Sequence, residues 1–404
     1  MILSYLCLLV LILILFTISE VDSLFIPYFT LDYMGAYLSF ITLLFVIFFL
    51  SFGGRWISNI EGVLICCSSL ASIICFLSDN IVLFWLTYEV AILLLIFCVL
   101  VGSPYSERFL AFWYLLGYVG ATSLPLLVSV LYVGVSGLST SFSCNETVNG
   151  GMGLILGSFI FVLFATKVPL PPFHSWLPVV HAEASTFVSV CLSGFIMKLG
   201  IAGIYRFVLD SSGGIMPGLA VLLWYSVFII GSCLSELDTK RWLAYLSLGH
   251  IIVGVVGLVN NEDIVKEAPL YCLGHGFSAM LLFVVFLFLY ELLGSRNWFS
   301  VILGGRLGVT AMVVLSGGLL TASSFPSTIN FFCEIFILNS SFCNLGVSLA
   351  YFVYLFAGGL APILILSYLL CSASESFGWS NATLGLLMPL LIFCGISYLF
   401  VFFV

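Results

Sequence analysis

Thirteen stretches of this chain run for 17 residues or more with almost no charge: roughly 2–18, 34–52, 61–77, 80–101, 109–134, 153–170, 187–209, 215–235, 241–260, 268–290, 307–342, 346–372 and 383–403. One membrane-spanning helix needs about 20 mostly apolar residues. Charged residues make up 7% of the 404 positions and hydrophobic ones 63%, with a mean hydropathy of +1.30. A soluble protein carries about 25% charge. Too little charge is present to coat a soluble globule, and a disordered chain is excluded on the same ground. Ten basic residues against a net charge of −8 leave no basic patch for nucleic acid. The expectation is an all-α polytopic membrane protein of about thirteen transmembrane helices, residues 1–404 forming a single membrane domain. The first run lacks a basic leader and a small-residue cleavage site, so it reads as a retained helix. The thirteen cysteines include no C-x-x-C pair, only the neighbours Cys66 and Cys67, which argues against a zinc site or iron–sulfur cluster in this chain. Asn145-Glu146-Thr147 matches a glycosylation acceptor by chance composition.

Two of the runs cannot be continuous helices. Residues 167–178 read KVPLPPFHSWLP, with Pro169, Pro171, Pro172 and Pro178 inside ten positions. The run 307–342 contains Ser323-Ser324-Phe325-Pro326-Ser327. Proline removes a helical donor and clashes with the preceding turn. Irregular backbone at membrane depth is tolerated only beside protein or a water-filled cavity. Broken helices in corresponding positions of two halves point to a transport site. Arg55, Arg108, Lys240, Arg241, Arg296 and Arg306 follow even-numbered runs and share the side of the N-terminus, whereas Arg206 and Lys266 lie opposite. The positive-inside rule then places the N-terminus on the cytoplasmic or matrix side.

Six ionisable residues sit where charge is expensive: Glu89, Lys167, Lys198, His250, His275 and Glu334. A charge at mid-bilayer costs at least about 2.5–3.5 kcal/mol on insertion scales. Each has a purely structural alternative. Glu89 could bond a neighbouring hydroxyl, Lys167 could snorkel, the histidines could be packing residues, and Glu334 could cap the helix after Pro326. His174 and His181, beside the proline cluster, read as loop or interfacial residues. Taken as a set, acid, lysines, histidines and acid suit a proton relay, because buried ion pairs and histidines change protonation with small changes in surroundings. No compact cluster of aspartates favours a metal-cation substrate.

KVPLPPFHSWLPVVHAEAS (167–185) followed by GFIMKLGIAGIYRF (194–207) strongly resembles the antiporter-like membrane subunits of respiratory complex I, NADH:ubiquinone oxidoreductase. The segments 103–127, 236–251, 275–283 and 325–336 match further motifs of that family, so the resemblance spans roughly residues 80–340. It implies an inverted-repeat antiporter-like fold, with N-terminal helices in 1–79, a first half in 80–209, a second in 210–372 and a C-terminal helix in 373–404. It implies that Glu89 pairs with Lys167 of the first broken helix, that Lys198 is the central lysine, that His250 and His275 are relay histidines, and that Glu334 is the acid of the second broken helix. It also implies that redox chemistry, with its FMN, iron–sulfur clusters and ubiquinone, belongs to partner subunits, and that no cofactor is held by this chain. The implied partners are neighbouring antiporter-like and accessory subunits of the membrane arm and membrane lipid, with bound phospholipid such as cardiolipin. The implied location is the mitochondrial inner membrane, or alternatively a bacterial plasma membrane. Ser185 stands where the family has proline, and Cys333 where it has glycine. Glu89 falls on the fourth run but on the fifth of fourteen helices in the family, so this chain is expected to lack one N-terminal helix. An Mrp-type cation/proton antiporter subunit and a stand-alone secondary transporter are the competing readings. No phosphate loop or dinucleotide fingerprint is present for an independent enzyme.

Overall fold

The computed structural model of the chain describes residues 24–26, 28–52, 57–136, 140–142, 151–208, 216–260, 267–303, 309–342 and 344–372, with 390, 394, 395, 397 and 398. The run 2–18, the run 383–403 beyond those five positions, Arg55, Arg306, Lys266 and the Asn145-Glu146-Thr147 site lie outside the described residues. The described chain opens with a small antiparallel hairpin, β1 (Leu24–Ile26) and β2 (Phe29–Leu31), a departure from a purely helical expectation. The helices are α1 (Tyr33–Phe52), α2 (Asn59–Leu77), α3 (Ile81–Gly102), α4 (Arg108–Ser136), α5 (Gly151–Lys167), α6 (Trp176–Glu183) and α7 (Thr186–Cys191). A π turn (Leu192–Ile196) continues α7 into α8 (Met197–Val208). The rest are α9 (Met216–Cys233), α10 (Thr239–Asn260), α11 (Glu267–Leu293), α12 (Trp298–Leu303), α13 (Val309–Ala322), α14 (Ile329–Ser341) and α15 (Leu345–Ser372). Among the described residues, eight segments are long and apolar enough to cross a membrane, and four shorter apolar helices lie in α5, α9, α13 and α14.

Local sequence explains where helices start and stop. Ser58 begins α2 by accepting the Glu61 amide at 3.3 Å, and Asn80 begins α3 by accepting the amides of Val82 and Leu83. Such side chains satisfy amides that the first turn leaves without partners. The chain leaves helical geometry between Lys167 and Trp176 and again between Ala322 and Ile329, the two proline-bearing segments. Both gaps are bridged in the same manner. Trp176 Nε1 donates across the first to the Thr166 carbonyl at 3.1 Å, and Asn330 Nδ2 donates across the second to the Thr321 carbonyl at 3.4 Å. Ser324 and Ser327 turn the second gap with φ of 51° and 88°, a left-handed region that non-glycine residues rarely adopt.

The two ends of the bundle hold different charged contacts. At one end Lys240 reaches the Ala184 carbonyl, Arg296 reaches the Ala182 carbonyl and Arg108 reaches the Ser103 carbonyl. At the other end Arg206 binds the Ser78 and Phe76 carbonyls and faces Asp32 at 3.6 Å. The C-terminal end of α6 lies at the basic end, beside Lys240 and Arg296.

The α7–π–α8 segment is buried from Thr186 through Ile204, while α4 and α15 expose most of their spans. Small residues allow that central helix its close neighbours. A Cβ at Gly203 would strike the Phe164 ring of α5, and even the third-nearest ring carbon lies at 2.7 Å; Gly200 faces Val168 in the same way. Close helix approach over small residues supplies the packing that the hydrophobic effect cannot supply between helices in lipid. Gly203→Val should therefore destabilise the protein by about 1–3 kcal/mol through overpacking, read as a lowered thermal unfolding midpoint in detergent; an unchanged midpoint would show that the α5–α8 seam is loose.

Candidate functional site

Lys167 closes α5 and Glu89 sits midway along α3, and the two meet in an ion pair of 2.5 Å with side chains 3% and 10% exposed. The ammonium also lies 4.4 Å from the centre of the Tyr88 ring. Tyr88 is held there by stacking on Phe84 and by an edge contact with Phe164. Removing two charges from water costs several kcal/mol per ion, and their attraction offsets this only in good geometry. The aromatic face adds to the compensation. Lys167 thus does not snorkel to an interface. A narrow cavity opens beside it, lined by Tyr118, Thr166, Trp176 and Ile196 among others.

Lys198 is wholly buried on α8. Its ammonium donates to the Ser193 carbonyl within the π turn. In that turn the Met197 amide pairs with Leu192, five residues back, a register rare outside functional segments. Among the described residues no carboxylate lies in ion-pair reach of Lys198. Cys272 and His275, both on α11, lie within electrostatic reach of it.

His275 and His250, on α11 and α10, bring their ring centres to 5.8 Å. His250 Nδ1 is shared by the hydroxyls of Tyr354 at 2.7 Å and Tyr271 at 3.3 Å. The Tyr271 hydroxyl also faces the Glu334 carboxyl on α14. Ser324 donates to Glu334 Oε1 at 2.8 Å across the second helix gap, and Tyr351 donates to the Glu334 carbonyl at 3.3 Å. Glu334 is therefore not a helix cap, since Thr328 occupies that position. Ring contacts and hydrogen bonds bring His275, His250, Tyr271 and Glu334 together in the buried interior, with Lys198 within electrostatic reach of His275, and Glu89 and Lys167 form a separate pair.

Tyr88, Tyr271, Tyr354 and Ser324 escape the sequence reading. A tyrosine in an apolar run looks like bulk, although Tyr271 stands four residues before His275 and so shares its helical face. His181 corrects the expectation of a loop or interfacial residue. It lies on α6, fully buried, with its ring stacked on Phe283 at 5.2 Å and both ring nitrogens unpartnered. His174 does lie in the non-helical segment, edge-on to Tyr225. Outside the apolar interior, burial holds the Tyr105 phenol above its ordinary pKa, so a neutral hydroxyl stands beside Lys240 and Arg296.

Residues 78–360 match the family described as NADH:quinone oxidoreductase/Mrp antiporter, TM. The chain is 33% identical over 230 residues to the NADH-ubiquinone oxidoreductase chain 4 of Rhipicephalus sanguineus, an alignment covering 55% of this chain and 52% of that one. The chain spans roughly half to three fifths of the length of the curated relatives it matches. A chain of respiratory complex I from Thermus thermophilus with bound NADH shares the fold, with a TM-score of 0.84 at 18% identity over 98% of this chain and 90% of that one. A chain of the Mrp complex from Dietzia sp. DQ12-45-1b does so with a TM-score of 0.78 at 16% identity, over 94% and 76%.

The ion pair has a thermodynamic signature. Glu89→Ala strands the Lys167 ammonium and should destabilise the protein by about 3–5 kcal/mol. Adding Lys167→Met should recover most of that loss, and a double-mutant cycle on thermal or denaturant unfolding reads the coupling. Additive effects would mean that the two side chains do not interact.

Proposed function

Because the chain belongs to the NADH:quinone oxidoreductase/Mrp antiporter membrane family, we propose that it is a proton-translocating membrane-arm subunit of NADH:ubiquinone oxidoreductase. It is of the type called chain 4, the counterpart of the bacterial M-type subunit. Redox chemistry takes place in partner subunits that hold FMN, iron–sulfur clusters and ubiquinone, and this chain contributes no redox site to the enzyme. It sits in the mitochondrial inner membrane against other membrane-arm subunits and phospholipid. In this reading the chain crosses thirteen times. Two crossings are broken at 168–175 and 323–328, and the halves 80–209 and 210–372 are related by inversion. The matching helix gaps, one in each half, support that relation.

The observation that carries the proposal is the buried series from Lys198 through His275, His250 and Tyr271 to Glu334, beside a lysine–glutamate pair. Groups of these kinds pass protons when their side chains rotate or a hydrogen-bonded neighbour intervenes. When the Glu89–Lys167 pair closes, the ammonium is compensated. When it opens, a charge left in an apolar interior is relieved by giving its proton to a neighbouring base. An ion pair at 4 Å is worth about 4 kcal/mol at an effective dielectric of 20, and moving one proton against 100 mV takes about 2.3 kcal/mol. Opening and closing one pair is therefore large enough to drive one transfer. Tyr271 and Tyr354 supply hydroxyls that pass a proton by swapping donor and acceptor roles at His250.

An Mrp-type antiporter subunit is the second reading, favoured by the shared fold with the Dietzia chain. The relatives named chain 4 of NADH-ubiquinone oxidoreductase argue for the first. Co-purification with flavin and iron–sulfur proteins separates the two, since an antiporter assembly would instead show sodium-stimulated proton exchange. Within the complex, Glu89→Gln, Lys167→Ala and Lys198→Ala should each lower coupled NADH–quinone activity and proton translocation several-fold with assembly largely intact. Full proton translocation in an assembled Lys198→Ala enzyme would remove Lys198 from the relay.

A further inference from the structure

The half-helix α6 is eight residues long and ends buried at the basic end of the bundle. A helix leaves its last four carbonyls without intrahelical partners. The last such bond here runs from the Ala184 amide to the Val180 carbonyl, so the orphans are the carbonyls of His181, Ala182, Glu183 and Ala184. All four are taken by side chains, and each comes from a different part of the fold. Ser189 of α7 donates to His181 at 3.4 Å, and Ser103, just after α3, donates to Glu183. Arg296, just after α11, donates to Ala182 at 2.8 Å, and Lys240, at the start of α10, donates to Ala184 at 2.9 Å. Two cations thus stand at the negative end of the half-helix dipole, where they are favoured.

These two cations are themselves fixed. The guanidinium of Arg296 lies 4.3 Å from the centre of the Tyr105 ring and the Lys240 ammonium 5.0 Å from it. Asp238 faces Arg296 at 3.9 Å and accepts the Lys240 amide at 3.0 Å. Lys240 is only 4% exposed. A buried ammonium spent on a backbone carbonyl is an expensive way to end a helix, because a glycine turn or a serine would serve. What distinguishes this cap is the origin of its donors. Lys240 begins the helix that carries His250, about 15 Å away at 1.5 Å per residue, and Arg296 follows the helix that carries His275. At its other end α6 is tied through Trp176 Nε1 to the Thr166 carbonyl, the residue before Lys167.

We propose that Lys240 and Arg296 are positioning residues: by capping α6 they hold it in one register against α10 and α11, and through Trp176 and Thr166 they hold Lys167 in place relative to the histidine pair. The role for Lys167 rests on the proton-relay reading, whereas the clamp on α6 does not. A shift of α6 against the second half of the molecule must break two charged hydrogen bonds together, so the two halves move as one or not at all.

The test uses the assembled enzyme carrying Lys240→Met, Arg296→Gln or Lys240→Arg. Amide hydrogen exchange of peptides covering 176–184 should quicken at least tenfold in Lys240→Met and Arg296→Gln, with peptides from α14 unchanged. Protons translocated per NADH oxidised, normalised to assembled enzyme, should fall at least twofold, and Lys240→Arg should restore both readings. Wild-type exchange in an assembled Lys240→Met enzyme overturns the clamp. Faster exchange with full proton yield, in a preparation where Glu89→Gln has lost its own, overturns the positioning role and leaves the relay standing. Full yield in both variants counts against the relay reading, and exchange then decides the clamp alone. Should Lys240→Met fail to assemble, Arg296→Gln, which retains the lysine, carries the same two measurements.

Discussion

Backbone groups and most polar side chains inside this bundle are bonded within the protein, because apolar surroundings offer no partners. That single requirement shapes the fold more than the apolar runs do. Serines and threonines along the helices bend back to carbonyls three or four residues earlier, as Thr42, Ser72, Thr166, Ser226 and Ser340 do. The two helix gaps are the severe cases, since each opens a second set of helix ends inside the bundle. The chain answers with indole and amide donors from the far side of each gap, and with the hydroxyl and cationic donors on α6. Irregular backbone is tolerated at depth here because other side chains complete its bonding.

The two lysines show two ways of keeping a charge in oil. Lys167 is compensated by a full opposite charge and by an aromatic face. Lys198 is compensated by a carbonyl dipole that the π turn turns toward it. A charge–charge pair weakens steeply once its partners separate, while a dipole anchored in the same helix moves with the lysine. The first site is therefore suited to respond to a change in helix spacing and the second to hold a fixed place between it and the histidines. The tyrosine hydroxyls at His250 extend the same logic, since neutral groups carry the series on without adding charge.

Much of this was legible in the sequence, and what was not has a physical reason. Charge scarcity and the apolar runs led to helices, and runs 34–52 through 346–372 each hold one or two of them. Prolines located both gaps, Pro169, Pro171 and Pro172 the first and Pro326 the second, because proline acts on the backbone locally. Glu89, Lys167, Lys198, His250, His275 and Glu334 stood out because charge in an apolar run is conspicuous. Tyr271 and Tyr354 did not, since their hydroxyls are hidden behind an apolar ring and matter only once helices far apart in sequence meet. His181 was misplaced for the complementary reason. Its neighbours Pro178 and Glu183 look like a loop, yet α6 is a helix turned inward, and burial is a tertiary property. The β1–β2 hairpin falls between the first two apolar runs, where the sequence reading assigned no element.

The departures from the family pattern bear on how far such a site tolerates change around it. Ser185 stands where the related subunits carry proline, at the entry to the helix that leads to Lys198. A proline there would fix φ, and Ser185 has a φ of −60° without one. Its hydroxyl instead donates to Glu61 Oε1 at 2.5 Å. Glu61 is buried in the first turn of α2, three residues after the Ser58 cap. That places a carboxylate at the start of two helices at once, where their dipoles favour it. The position is held by a hydrogen bond that also joins α2 to α7. Cys333, standing where the family has glycine, is fully buried beside Glu334 without displacing its Ser324 partner. Both departures fall on the supports of the ionisable series rather than on its members. A support only has to hold a position and can do so by several chemistries, whereas a group that takes and releases a proton has few substitutes.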